Sequence, residues 1–507
     1  MADRIPVGIV GAGAMGSGIA QVAAAAGHPV LIVDARAGAA AEAIAGVRAM
    51  FAKLAAKGKL SAQAAAAAAS RLKPAESLAE LAGAGLVIEA IVEQLEPKRR
   101  LFADLETIVD RECLLATNTS SLSLAAMAAA LRTPARLVGM HFFNPAPLME
   151  LVEVVGSVAT DEASLAAVEA LARAWGKAPV LARATPGFIV NRVARPFYAE
   201  GLRLLAEQAA DAATVDAVLR EAGGFRMGPL ELTDLIGQDV NFAVTRSVFA
   251  GFFHDPRFAP ALVQQELVEA GWLGRKSGRG FYRYDADAPP PAPRSEAPEP
   301  APDRIALTGH DRLAEALAAR LQAGGVEVVL NPHLPTDLVL HIGDGRTAAA
   351  LEALGASPGT WRQPTVVVDL ALDYASATRL AIAASPRCLG PEPDSGCRRA
   401  IGALQAGGFA VSRMRDLPGL AVLRTVVMLA NEAADAVHYG VASAADVDLA
   451  MRKGVNYPLG PLAWADRLGP ARVLAALDHL AAFYGEDRYR ASGLLRQVTA
   501  AGGRFHE

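Results

Sequence analysis

Residues Leu137–Val155 read LVGMHFFNPAPLMELVEVV, and this mostly apolar run holds His141, Asn144, Glu150 and Glu153. A packed interior penalises polar groups that find no partner, so they face water, satisfy one another or do chemistry. Pro145 and Pro147 break the β-pattern. A hairpin centred near Pro147 sets positions 141 and 153 opposite each other, with Cβ atoms about 4.5–5.5 Å apart. A carboxylate on one imidazole nitrogen fixes the tautomer and leaves the other as a base, which an alcohol dehydrogenation needs to take up the hydroxyl proton. The alternative for His141 is a hydrogen-bonded core histidine. Its place beside a dinucleotide motif, with Glu153 in register, favours catalysis.

That motif is Gly11-Ala12-Gly13-Ala14-Met15-Gly16. It follows the apolar run Ile5–Val10 and opens a helical pattern to about Ala26, and a second apolar run ends at Asp34. A lone GxGxxG says little, but here the β-loop-α-β context and the terminal acid are both present. Gly11 allows the tight turn, Gly13 the approach of a pyrophosphate, and Gly16 close packing of helix on strand. The helix N-terminus offers N–H groups to phosphate. Asp34 accepts from both adenosine ribose hydroxyls and repels a 2′-phosphate, favouring NAD over NADP; Arg36 is a mild counter-signal. FAD and a ligand-free glycine turn are the lesser alternatives.

LVIEAIVE (Leu86–Glu93) and LLATNTSSLSL (Leu114–Leu124) read as strands running into loops. Glu93, Asn118 and Ser120 then fall at strand carboxyl ends, where ligands sit in open α/β sheets. For Asn118 and Ser120 a helix N-cap is an equally good reading.

At 507 residues, 52% of them hydrophobic, the chain exceeds one ordinary core. The net charge of −4 lacks a basic stripe for nucleic acid or a membrane surface. Cys113, Cys388 and Cys397 lack metal-ligand spacing with histidines, so no metal is expected, and their low, odd number suits a reducing cytoplasm. The opening MADRIPVGIVG has neither the basic nor the apolar region of a secretory signal, and no apolar run is long enough for a bilayer. The Pro/Ala-rich stretch Asp285–Asp303 predicts an extended, semi-rigid spacer.

The two halves echo each other. LPGLAVLRTVVMLANEAADAV (Leu417–Val437) parallels TPGFIVNRVARPFYAEGLRLL (Thr185–Leu205), and NYPLGPLAWADRLG (Asn456–Gly469) parallels FRMGPLELTDLIG (Phe225–Gly237). Arg304–Asn331 is a weaker echo of Pro6–Asp34. A repeat this long indicates duplication of a whole unit. The expected fold is α/β: a Rossmann-type doubly wound sheet (1–184), an all-α domain (185–284), the linker (285–303), a degenerate α/β segment (304–412) and a second all-α domain (413–507).

Taken together, GAGAMGSGIAQ, NTSSL, GMHFFNPAPLMELVEV, TPGFIVNRV, GPLELTDLIG and GRKSGRGFY strongly resemble the NAD-dependent 3-hydroxyacyl-CoA dehydrogenases, almost continuously over residues 5–284. The duplicated second half is similar to long bacterial members associated with phenylacetate degradation and 3-hydroxybutyryl-CoA metabolism. The resemblance implies oxidation of (S)-3-hydroxyacyl-CoA to 3-oxoacyl-CoA with NAD, on 3-hydroxyadipyl-CoA or 3-hydroxybutyryl-CoA. By the same resemblance His141 matches the general base, Glu153 its acidic partner, Ser120 the residue bonding the substrate oxygen, and Asn191 its support. Gly11, Gly13, Met15, Gly16, Asp34, Glu93, Lys98, Asn118, Ser120, Asn144 and Lys276 match positions that contact or frame NAD. Lys57 falls in the segment that meets CoA phosphates, although Lys53 and Lys59 lie nearby and all three also suit a solvated helix face.

Two rival readings remain. A related β-hydroxyacid dehydrogenase shares GxGxxG but uses a lysine base, against which HFFNP speaks. A non-catalytic, crystallin-like protein on the same scaffold would not need both His141 and Glu153. The second half is expected to lack a site: Gly309-His310-Asp311-Arg312-Leu313-Ala314 has lost two glycines, Asn331-Pro332 stands where the ribose acid should be, and Leu423 replaces Asn191. Because single-copy members usually dimerise through the helical domain, residues 415–507 are expected to pack on 185–284 as an intrachain pseudo-dimer held by apolar faces, with a homodimer of chains also open.

Overall fold

Val7–Val10 and Val30–Val33, four-residue runs dominated by β-branched side chains, form the neighbouring strands β1 and β2 of the first sheet. Runs this short and nearly continuously apolar suit a parallel sheet buried on both faces. The computed structural model describes residues 4–285, 289, 291–309, 312–331, 338–354, 364–389 and 395–506. The other strands of the first sheet are β3 (Leu72–Pro74), β4 (Leu86–Glu89), β5 (Leu114–Thr117), β6 (Leu137–Phe142), β7 (Leu151–Gly156) and β8 (Ala178–Arg183). Their order is β3-β2-β1-β4-β5-β6-β7-β8, parallel except between β6 and β7. The first six follow the doubly wound dinucleotide-binding order. The alanine-rich stretch forms two helices, Ala39–Ala56 and Ala62–Ser70, separated where Gly58 takes φ +66°.

The chain divides into two compact units, and the division cuts across the sequence segments. Residues up to Arg192 form the first unit together with Tyr439–Val455, which by sequence belongs to the second helical copy. The helix Ala444–Gly454 lies on β7 and β8. The N–H of Arg183 donates to the Val441 carbonyl at 2.8 Å, and Lys453 pairs with Glu150 at 2.5 Å.

The second unit, Val193–His438 with Asn456–Glu507, holds a reduced sheet. Its strands are β9 (Arg304–Thr308), β10 (Glu327–Leu330), β11 (Val339–Ile342), β12 (Thr365–Val368), β13 (Arg379–Ala384) and β14 (Ala410–Arg413), ordered β10-β9-β11-β12-β13-β14. Only β12 and β13 run antiparallel, as β6 and β7 do. The first copy's helix Ala212–Glu221 lies against β13, with Glu221 paired to Arg379 at 3.2 Å. Each helical copy therefore gives its equivalent helix to the other copy's sheet.

Helix Arg195–Ala206 packs on Val422–His438. This intrachain contact differs from the expected purely apolar one. Beside the rings of Phe197, Phe225, Tyr457 and Trp464, fully buried Arg424 bridges Glu200 (2.5 Å) and Glu207 (2.9 Å). Buried Arg257 likewise pairs with Glu432 and Asp435. A planar guanidinium fork can satisfy two carboxylates at once. The linker's described residues have no regular structure, but they are anchored: the Glu296 N–H donates to Val411, and the Glu299 N–H to Gln405 Oε1.

Candidate active site

β6 and β7 pair antiparallel with His141 opposite Glu153. Both side chains are buried, and His141 Nδ1 lies 2.6 Å from Glu153 Oε2. Nδ1–H therefore donates to the Glu153 carboxylate, which leaves Nε2 as the basic nitrogen. The other carboxylate oxygen, Oε1, accepts the N–H groups of Ile189 (3.0 Å) and Val190 (2.9 Å). Those amides open the short helix Val190–Val193 after the turn Pro186-Gly187-Phe188, where Gly187 and Phe188 have positive φ. The imidazole ring lies 4.6 Å from Phe143 and 5.8 Å from Phe188, so its partner is fixed and its surroundings are apolar.

At the end of β5, Asn118 Oδ1 accepts the Phe142 N–H at 2.8 Å, tying the NTSSL loop to the strand that carries His141. Neither Asn118 nor Ser120 caps the following helix; Ser123 does, accepting from Ala126. Ser120 is half-buried, and its hydroxyl has no hydrogen bond among the described residues. Its N–H donates to Glu93 Oε1, which also accepts the hydroxyls of Thr119 (2.6 Å) and Ser121 (3.1 Å). Burial opposes ionisation of Glu93, but the Thr119 hydroxyl, Lys98 and the Ser120 amide hold its carboxyl below the ordinary value. Lys98 is 1% exposed and sits between Glu89 (2.6 Å) and Glu93 (3.2 Å). Glu89, fully buried at the end of β4, accepts from the Ile91 N–H and the Thr117 hydroxyl too. Sequence reasoning passed over Glu89, Thr117 and Thr119, although a carboxylate inside the strand LVIE was a visible signal. Asn191 follows Val190 and is half-buried. Asn144 is exposed in the loop after β6. Lys276 belongs to the second unit, where it pairs with Asp239 at 2.5 Å.

The glycine loop fits a dinucleotide. Gly11 has φ +108°, and a Cβ on Gly16 would lie 1.8 Å from the Gly11 carbonyl oxygen, so the protein's own packing requires both. A Cβ on Gly13 would meet nothing within 4 Å. Space is thus open over a helix N-terminus that no side chain caps, and half-buried Met15 lies in its first turn. Asp34 accepts from the Ala12 N–H (2.7 Å) and the Arg36 N–H (2.8 Å), which orients the carboxylate and leaves lone pairs for ribose hydroxyls. Arg36 is exposed and pairs with Glu42 at 2.6 Å. A cleft of about 1120 Å³ runs between helices Ala14–Ala25 and Ala39–Ala56 and the loop after β6. Lys59 lines it, whereas Lys57 is the exposed C-cap of the second helix.

In the second half the corresponding positions have changed. Phe188 and Leu420 share positive φ in equivalent turns. Val180 and Ser412 each stand seven residues before the glycine of that turn, and they pair with Glu153 and Ala381. Asp369, whose N–H donates to Ala381 at 2.9 Å, therefore occupies the place of His141. The dyad has become Asp369 and Ala381. Asp369 accepts the N–H groups of Ala421, Val422 and Leu423, taking over from the opposite strand the anchoring that Glu153 performs. Asn331 spends its amide on Gly309, donating from Nδ2 (2.6 Å) and accepting at Oδ1 (2.8 Å). His310, Asp311 and Pro332 lie outside the described residues.

A doubly wound sheet, an open glycine loop closed by an acid, and a buried His–Glu pair define an NAD-binding dehydrogenase. The family model for the NAD-binding domain of 3-hydroxyacyl-CoA dehydrogenase matches residues 6–185, and that for its C-terminal domain matches 187–284 and again 419–505. A reduced Rossmann-fold domain described for 3-hydroxybutyryl-CoA dehydrogenase matches 340–418. The chain is 46% identical to the 3-hydroxyadipyl-CoA dehydrogenase of Escherichia coli K12, over 97% of this chain and 96% of that one. It is 39% identical to the 3-hydroxybutyryl-CoA dehydrogenase of Bradyrhizobium diazoefficiens, over 56% of this chain and 97% of that one. A crystal structure of 3-hydroxybutyryl-CoA dehydrogenase from E. coli K12 superposes with a TM-score of 0.88 at 44% identity, covering 99% of each chain. The chain belongs to the 3-hydroxyacyl-CoA dehydrogenase family and is an NAD-dependent enzyme of that class.

Proposed function

We propose that His141 is the general base of this dehydrogenase and Glu153 its charge partner. The observation that carries the assignment is the buried 2.6 Å contact between them. NAD, when bound, supplies the acceptor for the hydride from C3 of the 3-hydroxyacyl group. Nε2 of His141 takes the hydroxyl proton, and Glu153, held by two amides, stabilises the imidazolium. The unengaged Ser120 hydroxyl bonds the oxygen as it becomes a carbonyl, with Asn191 beside it. Gly11, Gly13, Met15 and Gly16 receive the pyrophosphate and Asp34 the adenosine ribose. Asn118 and Asn144 frame the remainder. Lys98 and Glu93 act mainly by holding the Ser120 loop.

The CoA thioester lies along the apolar cleft, with Lys59, in preference to Lys57, meeting a CoA phosphate as a point charge. For the acyl group we favour 3-hydroxyadipyl, because a relative aligning through both halves carries that name; cytoplasmic catabolism of the phenylacetate type rests on the resemblance of the duplicated second half to the long bacterial members. A solved structure that matches both halves, named for 3-hydroxybutyryl-CoA, supports a four-carbon reading. NADH oxidation with a panel of 3-oxoacyl-CoA thioesters separates them. The six-carbon reading expects a higher kcat/KM on 3-oxoadipyl-CoA than on acetoacetyl-CoA, and the reverse order transfers the assignment to the shorter chain.

A further inference from the structure

The helix Ala444–Gly454 comes from the half of the chain that has lost its dyad, yet it is built into the unit that keeps one. Its last residue, Gly454, is buried. A Cβ there would lie 2.6 Å from Leu151 Cδ2 and 3.1 Å from Val190 Cγ2. Gly454 is not among the positive-φ residues, so its backbone does not call for glycine. Glycine also weakens a helix relative to alanine. The requirement at this position is space.

The two side chains that claim the space both belong to the dyad's support. Leu151 opens β7 two residues before Glu153. The Val190 N–H donates to Glu153 Oε1 at 2.9 Å, and Val190 immediately precedes Asn191. Close-packed interiors transmit a displacement to their neighbours. A group pushing on Val190 and Leu151 would lengthen the hydrogen bonds that the Ile189 and Val190 N–H groups donate to Glu153, turn its carboxylate, and move Nε2 of His141 with it.

We infer that this second-copy helix is a positioning element for the catalytic dyad and that Gly454 is the positioning residue through which it acts. The inference rests on the assignment of His141 and Glu153 as the dyad. The degenerate half thereby has a role in the reaction without a site of its own: its helix completes the wall against which Glu153 is held.

The test uses the full-length chain with Gly454→Ala and Gly454→Val, read as kcat, KM for the 3-oxoacyl-CoA and affinity for NADH. Because a misplacement of about 1 Å can cost on the order of a hundredfold in rate, kcat should fall by roughly ten- to a hundredfold. NADH affinity and KM should stay unchanged. Leu151→Val, added to Gly454→Ala, removes the atom nearest the new methyl and should restore most of kcat. Lys453→Ala, on the same helix at a half-exposed pair, should leave turnover unchanged. Wild-type kcat in both Gly454 variants overturns the inference, as does a loss of kcat matched by loss of NADH binding and not restored by Leu151→Val. His141→Gln, assayed in the same series, keeps the two readings apart. If it turns over normally, the dyad assignment fails. If it is inactive while the Gly454 variants are fully active, only the role of the second-copy helix falls.

Discussion

His141 Nδ1 meets Glu153 Oε2 at 2.6 Å across the β6–β7 pair, and Glu153 is held from its other oxygen by the amides of Ile189 and Val190. The carboxylate thus has one oxygen for orientation and one for the imidazole. His141→Gln should keep NADH binding and lower turnover by about 10²–10⁴-fold, the usual range for a general base. Glu153→Gln should also lower kcat severely, since an uncharged amide cannot stabilise the imidazolium. Steady-state kinetics beside NADH fluorescence titration checks both; near wild-type kcat in His141→Gln refutes the assignment.

Lys98 and Glu89 form a pair with almost no exposure, and Glu93 joins it on the side of the Ser120 loop. Removing one partner of a buried pair leaves an uncompensated charge and typically costs about 3–5 kcal/mol. Lys98→Met should therefore lower the unfolding free energy by that order and reduce kcat, because Glu93 loses a fixed neighbour. Lys98→Met with Glu89→Leu should recover much of the stability in chemical denaturation. A double variant no more stable than Lys98→Met would show that the pair is not the cause.

Much of this site could be read from local pattern. The β-loop-α-β context of the glycine loop and the spacing of His141 and Glu153 about Pro147 are short-range features, and the observed register follows from them. Glu89 was passed over because its partner Lys98 lies on the following helix, and a lone acid in a strand does not reveal what neutralises it. The place of Gly454 was hidden for a different reason. Its neighbours Leu151 and Val190 lie 303 and 264 residues away in sequence, and no periodicity links a helix of one repeat to the sheet of the other. The repeat itself was legible, but the exchange of helices between its copies is a property of tertiary packing.

One NADH per chain is expected. In the first half, Asp34 presents a carboxylate oriented by Ala12 and Arg36; in the second, Asn331 spends both amide groups on Gly309. Titration at protein concentrations well above the dissociation constant should give a stoichiometry of one, and Asp34→Ser should weaken NAD binding and narrow the gap to NADP. Two equivalent NADH sites, or equal use of both cofactors by the unaltered enzyme, would contradict this reading.

Asp369, which stands in the place of the histidine, carries a pH signature of its own. It is fully buried, and burial pushes its carboxyl up to about 6, against the pull of the Val422, Leu423 and Ala421 amides. A carboxyl whose folded value lies above its ordinary 3.8 binds its proton more tightly in the native state. By linkage, the native state then loses stability as pH rises between those two values, and the loss is complete above about 6. The neutral isostere Asp369→Asn removes this titration while keeping one oxygen to accept amide N–H groups. The free-energy difference between wild type and Asp369→Asn, from urea unfolding at several pH values, should shift against the wild type from pH 4 to pH 6, a window taken from the ordinary and folded values, and stay level from there to pH 8. A difference that is flat across the lower window would mean that the amides outweigh burial and that Asp369 is ionised throughout, as a carboxylate collecting several N–H donors can be.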